Sequence, residues 1–205
     1  MKRFYFKYQL ILLIISLIYS SCSNEIKDEI ETEATIVWEL REPELDENGN
    51  YIYDVGREVV VDLNDEISLK VGEKSVEYKL FQMLNDDSFQ INSNEEFGWI
   101  TLDRVYWVDN ELYESSLDQF ENLVQILNSF PQSIIKIGGF TDDDSRRNEF
   151  EKKVKKVYEE LVKMGIDSNR LSYQVYGKKK MVCESNDTDL CRAQNRRVDI
   201  RLIDK

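Results

Sequence analysis

The chain has 205 residues, a formal charge of −13 at neutral pH, three cysteines and no histidine. Without imidazole, Ser-His and Cys-His nucleophiles are excluded, as are the usual neutral-pH base and zinc ligand. The acid surplus argues against nucleic acid or an anionic lipid surface as a partner. Catalysis through carboxylates is the lesser reading, because no pair of acids has an evident reason for split pKa values. No cofactor and no metal is expected.

The first 21 residues read as an export signal: Lys2, Arg3 and Lys7, an apolar run from Leu10 to Tyr19, then Ser20 and Ser21. The run falls short of the roughly 20 apolar residues of a membrane span. Cys22 directly after two serines resembles a bacterial lipobox, with Tyr19 where that motif usually carries Leu. The resemblance implies cleavage before Cys22 and lipidation of its sulfur; an ordinary signal with a bystander cysteine is the alternative. Losing the signal removes three positive charges and no acid, moving the net charge from −13 to −16. Attachment to a membrane must then come from lipid, and several acyl chains are needed for stable anchoring. Residues 22–34 are polar and acidic, a solvated tether.

Residues 35–97 read as a small β-rich module. "TIVWEL" (35–40), "YIYDV" (51–55), "REVVVDL" (57–63) and "ISLKV" (67–71) are β-branched and aromatic runs separated by turn residues. Asn48-Gly49 is a hairpin signal. Asp46, Asn48, Asn50 and Asp54 hint at a calcium loop, but Gly49 is one place early and the terminal bidentate Glu is missing, so a plain hairpin is favoured. Val76, Leu80, Met83 and Leu84 give 75–84 a helical face.

From 98 to 205 strands and helices alternate. "WITLDRVYWV" (99–108) reads as a strand, and Ser116 with Gln119 as a capping box for a helix striped by Leu117, Phe120, Leu123, Val124 and Leu127. "SIIKIGGF" (133–140) is a buried strand. Phe150, Val154, Val157, Leu161 and Met164 keep helical spacing up to Gly165, which suits a C-terminal stop. "RLSYQVYG" (170–177) and "RRVDIRLI" (196–203) are further strands. The order predicts an α+β fold, β-α-β-α-β-β, with the helices on one sheet. Cys183 and Cys191, eight apart in an exported chain, read as a disulfide, with a metal pair the weaker choice because no other soft ligand is near.

"IIKIGGFTD", "LVKMGID", "RLSYQVYG" and "NDT..CRAQNRRVDIRL" together resemble an OmpA-like peptidoglycan-binding domain, over roughly residues 75–205. The nearer type is the lipoproteins in which "W-x-T-x-D-R" opens the domain and "GGYTD" replaces "GHTD". The resemblance implies a non-enzymatic protein that holds the outer membrane to the cell wall from the periplasmic side. It also implies a ligand, the diaminopimelate of the stem peptide, with a free ammonium beside a carboxylate. By position, Asp142 would take the ammonium and Thr141 would shape the turn. Asn148 matches the family's loop Asn, and Asn195, Arg196 and Arg197 match its C-terminal "NRR" beside the same pocket. The segment between Asp142 and Gly165 is about four residues short of the family pattern. Apolar register then puts Lys153 where the family has the carboxylate-binding Arg, and Val154 where it has Ala; counting from Asn148 gives Lys155 instead. Lysine lacks the planar fork, so Arg146 or Arg147 is a further source of guanidinium. Arg196 and Arg197 alternate along a strand, so at most one faces the ligand. Peptidoglycan is the expected partner, beside the membrane through its lipid and other envelope proteins. The second reading is an OmpA-like fold whose pocket has degenerated, serving as an interaction or scaffold module.

Overall fold

The computed structural model describes residues 44–64 and 66–205. The export signal, Cys22, the tether and the strand expected at 35–40 lie outside the described residues. Among those described, no helix is long and apolar enough to cross a membrane. The elements run β1 (Glu44–Leu45), β2 (Tyr51–Ile52), β3 (Glu58–Asp62), β4 (Ser68–Gly72), α1 (Val76–Asn85), β5 (Trp99–Thr101), β6 (Trp107–Val108) and β7 (Glu111–Leu112). They continue with α2 (Leu117–Ser129), β8 (Ile134–Phe140), α3 (Arg147–Lys163), β9 (Leu171–Gly177), α4 (Asp189–Asn195) and β10 (Arg197–Asp204).

One mixed sheet, ordered β5-β10-β8-β9, carries the fold. β10 is antiparallel to β5 and β8, and β8 is parallel to β9 through the α3 crossover. The alternation in "RVDIRL" assigns the faces of β10. Val198, Ile200 and Leu202 join Ile135 and Ile137 of β8 in the core, together with Phe120, Leu123 and Leu127 of α2 and Val154, Val157 and Leu161 of α3. Val61, Leu69, Val71, Val76, Leu80 and Leu84 belong to the same buried cluster, so β3, β4 and α1 share that core. The α+β architecture with helices packed on one sheet is the one expected from the spacing of apolar residues.

On the other sheet face, Phe140 and Tyr176 stack 5.2 Å apart and Trp99 meets both edge-on. The segment 92–97 crosses this face: its carbonyls accept from Arg201 Nε, at Phe97, and from Trp99 Nε1, at Glu95. Arg197 and Asp199, both buried, pair at 3.0 Å.

Two local expectations are corrected. The strand read at 99–108 ends at Thr101, because Asp103 turns inward. Its Oδ2 accepts from the Val76 amide at 2.7 Å, and its Oδ1 accepts from Gln119 Nε2 at 2.6 Å. Chain direction then recovers in the β6–β7 hairpin, whose turn residues Asp109 and Asn110 both have positive φ, as a two-residue hairpin turn requires. The capping box is absent too. Ser116 lies in the α region and its Oγ accepts from the Tyr106 amide at 2.9 Å, while Gln119 serves Asp103 and the Arg104 amide. Ahead of β10 the chain forms α4, which is capped by Thr188 and carries Cys191 within it.

Gly138 and Gly139 set how closely the layers meet. A Cβ on Gly138 would lie 2.5 Å from the Trp99 ring, and one on Gly139 would lie 2.4 Å from Val154 Cγ2. Val154 is fully buried against the sheet and does not border the site cavity described below, so it fills core rather than crowding a pocket floor. We expect Gly139→Ala to cost about 1–3 kcal/mol by overpacking. Adding Val154→Ala should return part of it, so that urea denaturation shows the double variant to be more stable than the summed single effects. Strict additivity would contradict the close approach.

Candidate functional site

The "GGFTDDDSRRNEF" loop distributes its charges among distinct tasks. Thr141 is buried; its amide donates to Gly177 O and its hydroxyl to Asp143 O at 2.8 Å, which closes the turn. Asp143 accepts from the Ser145 amide at 2.8 Å and starts a short 3-10 turn ahead of α3; hydrogen bonds from Ser145 lower its pKa. Asp144 Oδ1 accepts from the Lys178 amide, and Arg147 donates to Val175 O at 2.7 Å, so both fasten the loop to the end of β9. Arg146 turns the opposite way, toward a cavity.

Asp142 points inward and is only 5% exposed. Its Oδ2 accepts from Arg196 Nη1 at 3.1 Å. Its Oδ1 is buried without a hydrogen-bond partner, with Arg146 Nη1 3.9 Å away. An unsatisfied buried carboxylate oxygen costs on the order of 1–3 kcal/mol, which makes it an unusual thing to keep. The backbone carbonyl of Asp142 accepts from Asn186 Nδ2 at 2.8 Å. That contact ties the loop to the segment closed by the Cys183–Cys191 disulfide.

Beside this pair lies a cavity of about 310 Å³. Arg146, Glu149, Lys153 and Arg196 line one side of it. Arg146 grips Glu149 with two hydrogen bonds, at 3.0 and 3.1 Å. Lys153 Nζ sits 3.0 Å from Glu149 Oε1 and about 5 Å over the rings of Trp107 and Phe150. Burial lowers the pKa of Lys153 and Arg146 and Arg196 lower it further, against the opposing pull of Glu149. Glu149 is itself raised by burial, but the hydrogen bonds from Arg146 and Lys153 outweigh this and its pKa falls. One acid thus pairs with two cations, and the cluster keeps a net positive charge. The core register of Phe150, Val154 and Val157 directs Lys153 here and leaves Lys155 in solvent beside Glu159.

The sequence-derived site residues therefore separate. Lys153 and Arg196 line the cavity with Arg146, while Asp142 pairs with Arg196 behind that wall and is not itself a lining residue; Thr141 shapes the turn. Arg197 borders the cavity, but its guanidinium donates to Asp199 and to Lys180 O and lies 4.2 Å over the Phe140 ring. Asn148 is exposed and faces a second hollow with Asn110, Lys152 and Lys156. Asn195 is fully buried and accepts from the amides of Val182 and Cys183 while donating to Cys183 O, so it shapes the disulfide loop. Arg146 was one of two arginines left open by the sequence, and it is the one that lines the cavity, from the 3-10 turn ahead of α3. Glu149 was missed, although its spacing of three from Arg146 and four from Lys153 gives helical ion pairs and could have signalled it. Also unforeseen is the opposite cavity wall, built from the β1–β2 and β6–β7 hairpins. Asn50 joins them by donating to Trp107 O at 3.2 Å and accepting from the Trp107 amide at 3.0 Å. The Asp46 carboxylate accepts from the Asn48 and Asn50 amides, and so builds the turn. Among the described residues, no acidic or cysteine cluster could hold a metal ion.

The turn 102–107, which supplies Leu102, Val105 and Trp107 to the cavity, is held from behind by two buried acids. Glu77 and Asp103 share Gln119 Nε2, and Glu77 also pairs with Arg104. Burial, and then the nearby Glu77 charge, push Asp103 up to about 6. A raised folded pKa means that this group stabilises the fold fully below its unfolded value, near 3.9. The contribution is lost as pH rises through 6. The advantage of the wild type over Asp103→Asn in chemical denaturation should therefore shrink by about 2–3 kcal/mol between pH 4 and pH 7. A pH-independent difference would contradict it. Replacing both Cys183 and Cys191 by Ser should lower stability by roughly 2–3 kcal/mol, as expected for closing a loop of this length.

No family model and no curated protein matches the chain. Solved structures do. The periplasmic domain of Helicobacter pylori MotB matches at 20% identity and a TM-score of 0.44, over 51% of this chain and 70% of that one. The cell wall anchor of the T6SS from Pseudomonas aeruginosa matches at 14% identity and a TM-score of 0.44, over 52% and 80%. The OmpA-like domain of FopA1 from Francisella tularensis subsp. tularensis SCHU S4 matches at 12% identity and a TM-score of 0.40, over 55% and 89%.

Proposed function

We propose that this chain is a cell-envelope protein of the OmpA-like type that binds peptidoglycan without catalysis. In this reading residues 1–21 are an export signal, Cys22 carries the lipid, and 22–34 form the tether. The lipid holds the protein to the outer membrane facing the periplasm, and the module at 35–97 leads into the wall-binding domain at 98–205, whose core β3, β4 and α1 share. One observation carries the binding role. A buried carboxylate, Asp142, keeps one oxygen without a hydrogen-bond partner and pairs through the other with Arg196, which lines a cavity together with Arg146 and Lys153. Opposite charges at fixed separation suit a ligand that presents an ammonium beside a carboxylate, as the stem-peptide diaminopimelate does. Arginine offers a bidentate fork to the carboxylate, and a buried acid oxygen offers an acceptor to the ammonium. Arg196 therefore joins the guanidinium sources, and Lys153 acts as a point charge.

The test is co-sedimentation with purified sacculi. Asp142→Asn keeps the shape and removes the charge, and Arg196→Lys keeps the charge and removes the fork. Each should weaken retention by about tenfold, equal to loss of one good polar contact. If the wild type is not retained, or both variants are retained undiminished, the interaction-module reading replaces this one.

A further inference from the structure

The charged side of the cavity accounts for only half of its wall. The other half comes from Asn48, Tyr51 and Tyr53, in and just beyond the β1–β2 hairpin, and from Trp107 and Asp109 of the β6–β7 hairpin. Most of this surface lies outside residues 75–205, where the motifs of a wall-binding domain are found. We propose that this wall is a second subsite that takes a saccharide ring of the glycan strand while the charged side holds the stem peptide. The inference rests on the peptidoglycan reading and deepens it.

The chemistry of the wall distinguishes a sugar from more peptide. A peptide recognised along its backbone needs free main-chain donors and acceptors on the receptor. Four amides of this wall are consumed internally. The Gly49 amide donates to Asp46 O, the Asn48 and Asn50 amides to Asp46 Oδ1, and the Trp107 amide to Asn50 Oδ1. Toward the cavity this wall offers side-chain chemistry: three aromatic rings, the Tyr51 hydroxyl as a donor, an amide at Asn48 and a carboxylate at Asp109. Ring faces pack on the apolar C–H faces of a pyranose, and hydroxyls, amides and carboxylates exchange hydrogen bonds with its hydroxyl and acetamido groups. Small-molecule sites commonly combine such apolar walls with a few polar groups.

The wall is also fixed in place. Tyr51 and Tyr53 pack with centroids 4.6 Å apart, and the Tyr51 hydroxyl accepts from Gln194 Nε2 at 3.2 Å. Gln194 belongs to α4, two residues before Arg196. Trp107 lies under Lys153, so the charged and aromatic sides share an edge. A ligand with a sugar joined to a charged peptide can therefore touch both walls at once.

Isothermal titration of the full chain with free stem tetrapeptide and with the disaccharide-tetrapeptide tests this. The disaccharide-peptide should bind about tenfold more tightly. Tyr51→Ala and, as a turn-tip change that spares the packing, Asn48→Ala should erase that increment and leave the free peptide's affinity within about twofold. Equal binding of the two ligands by the wild type, or equal weakening of both by the variants, would overturn the saccharide subsite and leave the wall-binding reading standing. Failure of both ligands to bind would overturn that reading and the subsite with it.

Discussion

The close approach of α3 to β8 is the constraint from which the site follows. Gly139 leaves the space into which Val154 packs, and that contact fixes both the depth and the rotation of the helix. With Val154, Val157 and Leu161 held in the core, the helical period turns Glu149 and Lys153 to the cavity, and Arg146, in the turn just ahead of α3, joins them there. A helix held one methyl further out would carry those three groups away from Arg196. The two glycines are therefore packing residues first, and their effect on the cavity runs through the helix they admit.

A second constraint works from the other end of the domain. Arg196 sits at the C-terminal cap of α4, and α4 is fixed by the disulfide and by Asn195. Asn186 joins the same loop to the Asp142 carbonyl. The carboxylate and its guanidinium partner are 54 residues apart in sequence, but each is fastened to the other's supporting loop. The disulfide and the buried asparagine of this polar, solvent-bordering segment thus hold the ion pair in one geometry.

The fold was largely legible in the sequence because apolar spacing reports burial directly. The stripe Phe150, Val154, Val157 and Leu161, the alternation in β10 and the Asn48-Gly49 turn each specified an element without reference to the rest of the chain. Polar side chains were harder to read. Ser116 and Gln119 have the spacing of a cap, yet their partners Tyr106 and Asp103 lie more than nine residues back, and local spacing carries no record of that. Asp109-Asn110 was readable as a hairpin turn but was hidden inside an aromatic run. Within the site, Asp142, Lys153 and Arg196 could be placed by resemblance and register. Asn148 could not, because one step around the helix separates the cavity from the neighbouring hollow. The hairpin wall was beyond reach, since its contact with the site is set by Asn50 bonding to Trp107 across 57 residues.

The account stands on the claim that Asp142 and Arg196 meet a ligand at the cavity, rather than only each other. Nuclear magnetic resonance titration of the 15N-labelled chain with diaminopimelate-containing stem peptide addresses this directly. The account predicts that the largest amide shifts map to 142–153 and 195–197, saturating together. Shifts confined to the outer edge of β9, or none at saturating peptide, would contradict it.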